Sequence, residues 1–350
     1  MRVLICPLAS LGFVFPAIGL AHKLRARGHT VAFVTGLRAR PMLERQGLSL
    51  VGGGPCFRTQ RWHDTASVQE QARVLRHVLE QWPADVLLTS ALCLGPLLVG
   101  EATQRPVATL GLFAPLWPTD GNDTLRYAEL NGAYQRSRAA LGLTGPGPDL
   151  PLLGQCYLHR GIPGLLPGPM PTQAHPIGAA LWEPPVGEPL RRWLADCQRP
   201  PIYLHPARTF GSPGFWSNAR HLLAARSVAA STGRLDQPRG ESPPGWFVRP
   251  HVSMGPVLSA CAVVVASGTT TAALGALWHG CPAVLLPGGS EQFAIARMLS
   301  ELGVAEILSA PQLLPAALSR AEARREAAMR LSARYRNVAV DPVGLIEALL

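Results

Sequence analysis

The residues best placed to do chemistry form a short run of hydroxyls, Ser267-Gly-Thr-Thr-Thr271, between an apolar stretch (Ala262 to Ala266) and a helical pattern (Thr270 to Trp278). A strand ending there and a helix starting there would leave backbone N–H groups free at the positive end of the helix dipole. That is a setting for a phosphate or diphosphate. It is equally the setting of a Ser/Thr helix cap with no ligand. Glu291-Gln292 opens the next helix after Pro287-Gly-Gly. A carboxylate at that point can accept two hydrogen bonds from hydroxyls, or simply answer the dipole of its own helix. The first loop, Pro7-Leu-Ala-Ser-Leu-Gly12, lacks the G-x-G-x-x-G geometry of a nicotinamide-dinucleotide site, which argues against a dehydrogenase.

The elements that must position these residues alternate in type. Arg2 to Cys6 reads as a strand, Val14 to Arg27 as a helix, and Thr30 to Thr35 as a second strand after the Gly28 stop. A helix over 67–81, a buried strand over 85–89, a helix over 91–103 and a strand over 107–112 follow. From Thr144 to Pro189 the pattern gives way to Pro/Gly-rich text, read as a loop-rich domain end and a linker. Alternation resumes at Pro201-Ile-Tyr-Leu-His205 and ends in helices over 291–302, 311–319 and 320–335. Strands alternating with helices predict an α/β class with parallel sheets, which bind ligands beyond the carboxyl ends of their strands.

Composition narrows the classes. The 350 residues allow about two domains, and 47% apolar against 15% charged residues argues for packed cores. The net charge of +10 rests on 32 basic residues, of which only Lys23 is a lysine. It permits an anionic ligand, yet no nucleic-acid motif accompanies it, so no nucleic-acid partner is expected. The densest arginine group (Arg320, Arg324, Arg325, Arg330, Arg334, Arg336) is interleaved with Glu322 and Glu326 and reads as a solvated helix face. The seven cysteines show no C-x-x-C or Cys/His spacing, so neither a disulfide framework nor a metal site is expected. The uncharged stretch Pro250 to Ser290 is broken by Gly, Pro, Ser and Thr and reads as buried strand-helix-strand, not a membrane span. With no signal-peptide plan at the start, a cytoplasmic protein is expected.

Two segments resemble a known family. Residues 1–36 (MRVLICPLASLGFVFPAIGLAHKLRARGHTVAFVTG) and 261–306 (CAVVVASGTTTAALGALWHGCPAVLLPGGSEQFAIARMLSELGVAE) are similar to the natural-product glycosyltransferases of the UDP-glycosyltransferase-like, macrolide glycosyltransferase-like superfamily. The resemblance implies the GT-B fold, two Rossmann-like domains facing across a cleft. Residues 1–172 would bind the acceptor, 173–200 would link, and 201–350 would bind a nucleotide-sugar. It implies inverting transfer of a sugar from a UDP- or TDP-sugar co-substrate to a small natural-product acceptor, with no cofactor. In this reading Ser267, Gly268, Thr269, Thr270 and Thr271 hold the diphosphate, Glu291 and Gln292 the donor sugar, and His251 stacks on the base. Phe13, Trp62, Phe113 and Trp117, with Tyr127, would make an apolar acceptor pocket.

The chain also departs from that family. The usual catalytic histidine is Phe13, which cannot take a proton. Ser267 stands where a histidine contacts the diphosphate, Gly275 where a carboxylate holds the ribose, and Ile295-Ala296 replaces an N-x-A pattern. Arg208 is a candidate for the missing phosphate charge. Asp120 and His63, beside Asp64, are candidate bases, and a self-activated acceptor needs none. The alternative function is a catalytically silent relative acting as a partner or ligand-binding subunit, as a homodimer or with an auxiliary protein.

Overall fold

The computed structural model describes residues 1–118, 127–165, 168–206, 215–232, 242–289, 291–338 and 340–350. It divides into two compact units, Met1–Trp182 with Val338–Leu350, and Glu183–Asn337.

In unit 1 the chain runs β1 (Arg2–Cys6), α1 (Leu11–Ala26), β2 (Thr30–Val34), α2 (Arg40–Arg45), β3 (Ser49–Gly52), α3 (Thr65–Gln81), β4 (Val86–Ser90), α4 (Leu94–Thr103), β5 (Val107–Leu110), α5 (Tyr127–Ala140), β6 (Cys156–His159) and β7 (Ala174–Pro176). The strands form one parallel sheet in the order β3-β2-β1-β4-β5-β6-β7. Side chains alternate across a strand, and β1 shows the result: Leu4 and Cys6 enter one apolar core while Val3 and Ile5 enter the other. Both faces are therefore covered, as an all-parallel sheet requires.

Unit 2 repeats the topology with α6 (Glu188–Asp196), β8 (Ile202–His205), α7 (Phe215–Leu222), β9 (Val228–Ser231), β10 (Trp246–Arg249), α8 (Met254–Ala260), β11 (Val263–Ala266), α9 (Thr270–His279), β12 (Ala283–Leu285), α10 (Gln292–Glu301), β13 (Ala305–Ile307), α11 (Leu314–Glu322) and α12 (Arg325–Arg336). Its parallel sheet has the order β10-β9-β8-β11-β12-β13. Strand order reverses between β1 and β4 in unit 1 and between β8 and β11 in unit 2. These are the switch points at which doubly wound sheets bind ligands.

The last helix, α13 (Pro342–Glu347), belongs to unit 1. Val343 and Ile346 are buried in the core behind β1, β2 and β6. Around them Arg27 donates to Asp341 and Glu347, and His29 Nε2 lies 2.7 Å from Glu347 Oε1. The Arg-Gly-His turn after α1 thus clasps the end of the chain.

This division corrects two sequence expectations. Residues 338–350 join unit 1, and the stretch read as linker contains β7, the edge strand of the first sheet. A three-residue strand in Pro/Gly-rich text carries no periodicity to detect. Of the arginine group, Arg320, Arg330, Arg334 and Arg336 are exposed as expected, while Arg324 and Arg325 are half-buried. Arg320 and Arg324 hold Glu306, Arg325 donates to the Cys261 carbonyl, and Arg336 donates to the Trp278 carbonyl while lying over that ring.

The magnitudes rank the contacts that hold α13. Ile346→Ala empties a fully buried site and should cost about 2–5 kcal/mol. Glu347→Ala removes ion pairs with a side chain 32% exposed, worth under about 1 kcal/mol. Denaturant melts of the two variants should show that order.

Candidate functional site

In unit 2, three adjacent parallel strands deliver side chains to one edge. β8 ends at His205, opposite Ala266 of β11, which in turn lies opposite Leu285 of β12. Ser267 and Gly268 turn the chain from β11 into α9. Gly268 has φ +82, a conformation glycine adopts without strain, and a Cβ there would sit 3.3 Å from the Gln292 carbonyl oxygen. Thr269 is the N-cap, in extended conformation and with no side-chain cap bond of its own.

The cap comes instead from Glu291. Thr270 donates its backbone N–H to Glu291 Oε1 at 2.9 Å and its hydroxyl to Oε2 at 2.6 Å. An anion therefore already sits at the positive end of α9. Gln292, only 2% exposed, accepts a hydrogen bond from the Gly288 N–H at 2.8 Å through Oε1. The pair expected to hold sugar hydroxyls is thus turned onto the protein's own backbone. Ser267 is 4% exposed, and its hydroxyl has no hydrogen-bond partner among the described residues. A buried polar atom left so is uncommon and calls for an explanation. His251 is exposed in the loop between β10 and α8. Arg208 and Asp120 lie outside the described residues.

Two features were invisible in the sequence. Glu183 accepts the Met254 and Gly255 N–H groups at 2.8 Å each, so α8 also starts on a carboxylate brought from elsewhere. Burial raises that carboxyl's pKa, and the two N–H bonds oppose the rise. Gly275, where a ribose-binding carboxylate would stand, faces α8 closely. A Cβ there would lie 2.8 Å from Leu258 Cδ1 and 3.6 Å from Met254 Cε. The glycine lets the two helices pack closely, and a larger residue there would have to push the Leu258 side chain aside.

In unit 1 the turn after β1 is fixed from three sides. Leu8 N–H donates to Ser90 Oγ, Ala9 N–H to the Phe57 carbonyl, and the Thr35 hydroxyl to the Pro7 carbonyl. Phe13 stands half-buried in the first turn of α1, against the core. Trp62 is half-buried and edge-on to the exposed His63, with ring centroids 4.9 Å apart. Asp64 does not pair with His63; it caps α3 through the Ser67 N–H and hydroxyl. Phe113 and Trp117, expected in an open acceptor pocket, are 0% and 4% exposed. Trp117 packs edge-on against Tyr157 and His159 in the core, because the chain after β5 turns inward over β6. Leu92, half-buried after β4, has φ +69, a strained value for a side-chain-bearing residue at the switch point.

Behind Trp117, the His159 imidazole donates from Nε2 to the Phe113 carbonyl at 3.0 Å, while its buried Nδ1 has no partner among the described residues. A cavity of about 520 Å³ lined by Glu101, Tyr134, Asp149 and Gln155 lies at the amino ends of β5, β6 and β7, the opposite edge of the sheet from these residues. Among the described residues no cluster of His, Cys, Asp or Glu could hold a metal ion, and no helix is long and apolar enough to cross a membrane.

No family model matches the chain. It is 26% identical, over a 408-residue alignment covering 99% of this chain and 92% of the other, to O-mycaminosyltylonolide 6-deoxyallosyltransferase of Streptomyces fradiae. It is 28% identical to a UDP-N-acetylglucosamine–N-acetylmuramyl-(pentapeptide) pyrophosphoryl-undecaprenol N-acetylglucosamine transferase of Thermus thermophilus, with 97% of each chain covered. Among solved structures, the spinosyn rhamnosyltransferase SpnG complexed with thymidine diphosphate superposes with a TM-score of 0.76 at 20% identity, covering 100% of both chains. SpnG complexed with spinosyn aglycone gives 0.76 at 21%, with the same coverage. The chain has the two-domain α/β fold of these glycosyltransferases.

Two outcomes test this geometry. Gly275→Glu should not restore a ribose contact; it should lower stability by about 1–3 kcal/mol from overpacking, with a further cost for the buried carboxylate, read as a fall in Tm. Burial pushes the His159 imidazole down to about 4 from an ordinary 6.5. Between pH 6.5 and 4 the unfolded chain then binds a proton that the folded chain refuses, so stability is full above that window and falls within it. Tm should drop over that range, and less so in His159→Gln.

Proposed function

We propose that the protein transfers a sugar from a nucleoside-diphosphate donor to a small natural-product acceptor, with inversion at the anomeric carbon. The observation that carries this reading is the turn from β11 into α9. At a switch point of unit 2, it combines a buried, unpartnered Ser267 hydroxyl, a glycine in left-handed conformation and a helix N-terminus that already holds an anion. The likeness to a glycosyltransferase complexed with thymidine diphosphate supports it.

In this reading Ser267, Gly268, Thr269, Thr270 and Thr271, with Arg208, take the diphosphate, and His251 stacks on the base. Glu291 and Gln292, which meet Thr270 and the Gly288 N–H in the free protein, would turn to hold the donor sugar. As the acceptor oxygen bonds to the anomeric carbon, the carbon–phosphate-oxygen bond breaks and charge gathers on the leaving diphosphate. The positive end of α9 stabilises that charge where it develops. Thymidine and uridine diphosphate sugars are both proper donors to test. Phe13 and Trp62, half-buried against the apolar core that holds Trp117, offer an apolar wall to the acceptor.

Deprotonation is the step for which the chain offers least. Phe13 has no proton acceptor, and His63 lacks the orienting carboxylate that Asp64 would provide, because Asp64 is committed to α3. Asp120, outside the described residues, remains the candidate base, and an acceptor that ionises readily by itself, such as an acidic phenol, would need none.

The test is transfer from thymidine and uridine diphosphate sugars to a panel of polyketide aglycones, read by mass spectrometry, with the anomeric configuration read by NMR. Product of opposite anomeric configuration to the donor is expected. Absence of both nucleotide binding and transfer overturns the proposal in favour of a silent partner protein. With a phenolic acceptor the rate should rise through the acceptor's own pKa. Phe13→His should leave that profile in place and raise the rate on an aliphatic alcohol by about a hundredfold, the scale of one general base.

A further inference from the structure

We infer that Glu291 is a built-in competitor for the donor's diphosphate: it holds the α9 N-terminus in the free protein, is displaced when the diphosphate binds, and returns to help expel the spent nucleotide. This rests on the glycosyltransferase reading above.

Three observations carry it. Both Glu291 carboxylate oxygens are engaged by Thr270, the N–H at 2.9 Å and the hydroxyl at 2.6 Å, so the side chain occupies donors that an incoming phosphate needs. Second, the turn offers more than the carboxylate uses. Ser267, 4% exposed and three residues before Thr270, keeps its hydroxyl without a partner among the described residues. A planar carboxylate presents two oxygens, whereas a phosphoryl group presents three in a tetrahedral array and has one to spare for Ser267. Third, the start of α10 does not take its cap from this carboxylate: Glu291 stands at the N-cap but makes no side-chain cap bond there. The loop before it is held separately, by Gln292 Oε1 and the Gly288 N–H.

The chemistry of the two ligands then differs. A nucleotide-sugar displaces Glu291 and supplies hydroxyls for the freed carboxylate to accept. A bare nucleoside diphosphate displaces it and supplies none, leaving two like charges close together. The equilibrium therefore favours the loaded donor over the spent one, and the lost occupancy appears as weaker apparent binding of the product. Once the sugar has gone to the acceptor, Glu291 loses its hydroxyl partners and Thr270 becomes its best remaining site.

Calorimetric titration with thymidine diphosphate and uridine diphosphate, on the wild type, Glu291→Ala and Glu291→Gln, tests this together with kcat and KM for the matching sugar donors. Glu291→Ala should bind the diphosphate about tenfold tighter, since each 1.4 kcal/mol of relieved competition is tenfold, while its transfer rate falls. Glu291→Gln keeps an acceptor on Thr270 and loses only the charge. It should bind about threefold tighter, and it decides the matter alone if the alanine variant does not fold. A residue that only caps α9 would give the opposite sign, because a loosened helix start binds phosphate less well. Diphosphate affinity unchanged or weakened in folded variants overturns the competitor role and leaves the glycosyltransferase reading standing. No binding of either nucleotide to the wild type or the variants overturns both.

Discussion

A parallel sheet hands the chain from strand to helix at one edge only, so helix N-termini and their unpaired N–H groups collect there. Those donors must be met. The protein has only 22 acidic residues in 350, and four of the described ones stand at helix starts. Asp64 caps α3, Glu183 meets α8, Glu291 meets α9 and Asp341 caps α13. Asp64 and Asp341 sit beside the helices they serve. Glu183 and Glu291 come from distant sequence to helices at the ligand-binding edge of unit 2. This requirement shapes the candidate site: a helix start that needs an anion is both a structural obligation and a place for a phosphate.

Packing and capping account for the points where the chain differs from the glycosyltransferase pattern it resembles. At Gly275 α9 packs against Met254 and Leu258 of α8, and a carboxylate would have to enter that contact. Ile295 and Ala296 are both fully buried, so that part of α10 serves the core. Asp64 is drawn to α3 and away from His63. At each point a group that sequence comparison assigns to ligand has been taken over by packing or capping within its own unit.

The alternating α/β plan was legible because strands buried on both faces are short apolar runs, and Val86–Ser90 and Val263–Ala266 announce themselves. β6, β7 and α6 were not, since short strands and helices in Pro/Gly-rich text carry too few residues for a period to show. The strand-to-helix turn at Ser267–Thr271 was legible from local order alone, which left an anion site and a plain helix cap as equal readings of it. What Glu291 and Glu183 do was not, because their partners lie 21 and 71 residues away and long-range capping leaves no local mark. The aromatic residues were misplaced for a related reason: Phe113 and Trp117 sit in loop text, yet the fold draws them into the core.

Unit 1 is built from two separated stretches of chain, 1–182 and 338–350, with all of unit 2 between them. Chains emerge from the ribosome amino end first. The core of unit 1 must therefore wait, with the surface later covered by Val343 and Ile346 bare, while every strand of unit 2 is synthesised. Unit 2 is contiguous and meets no such delay. The first unit to be translated is thus the last to be completed.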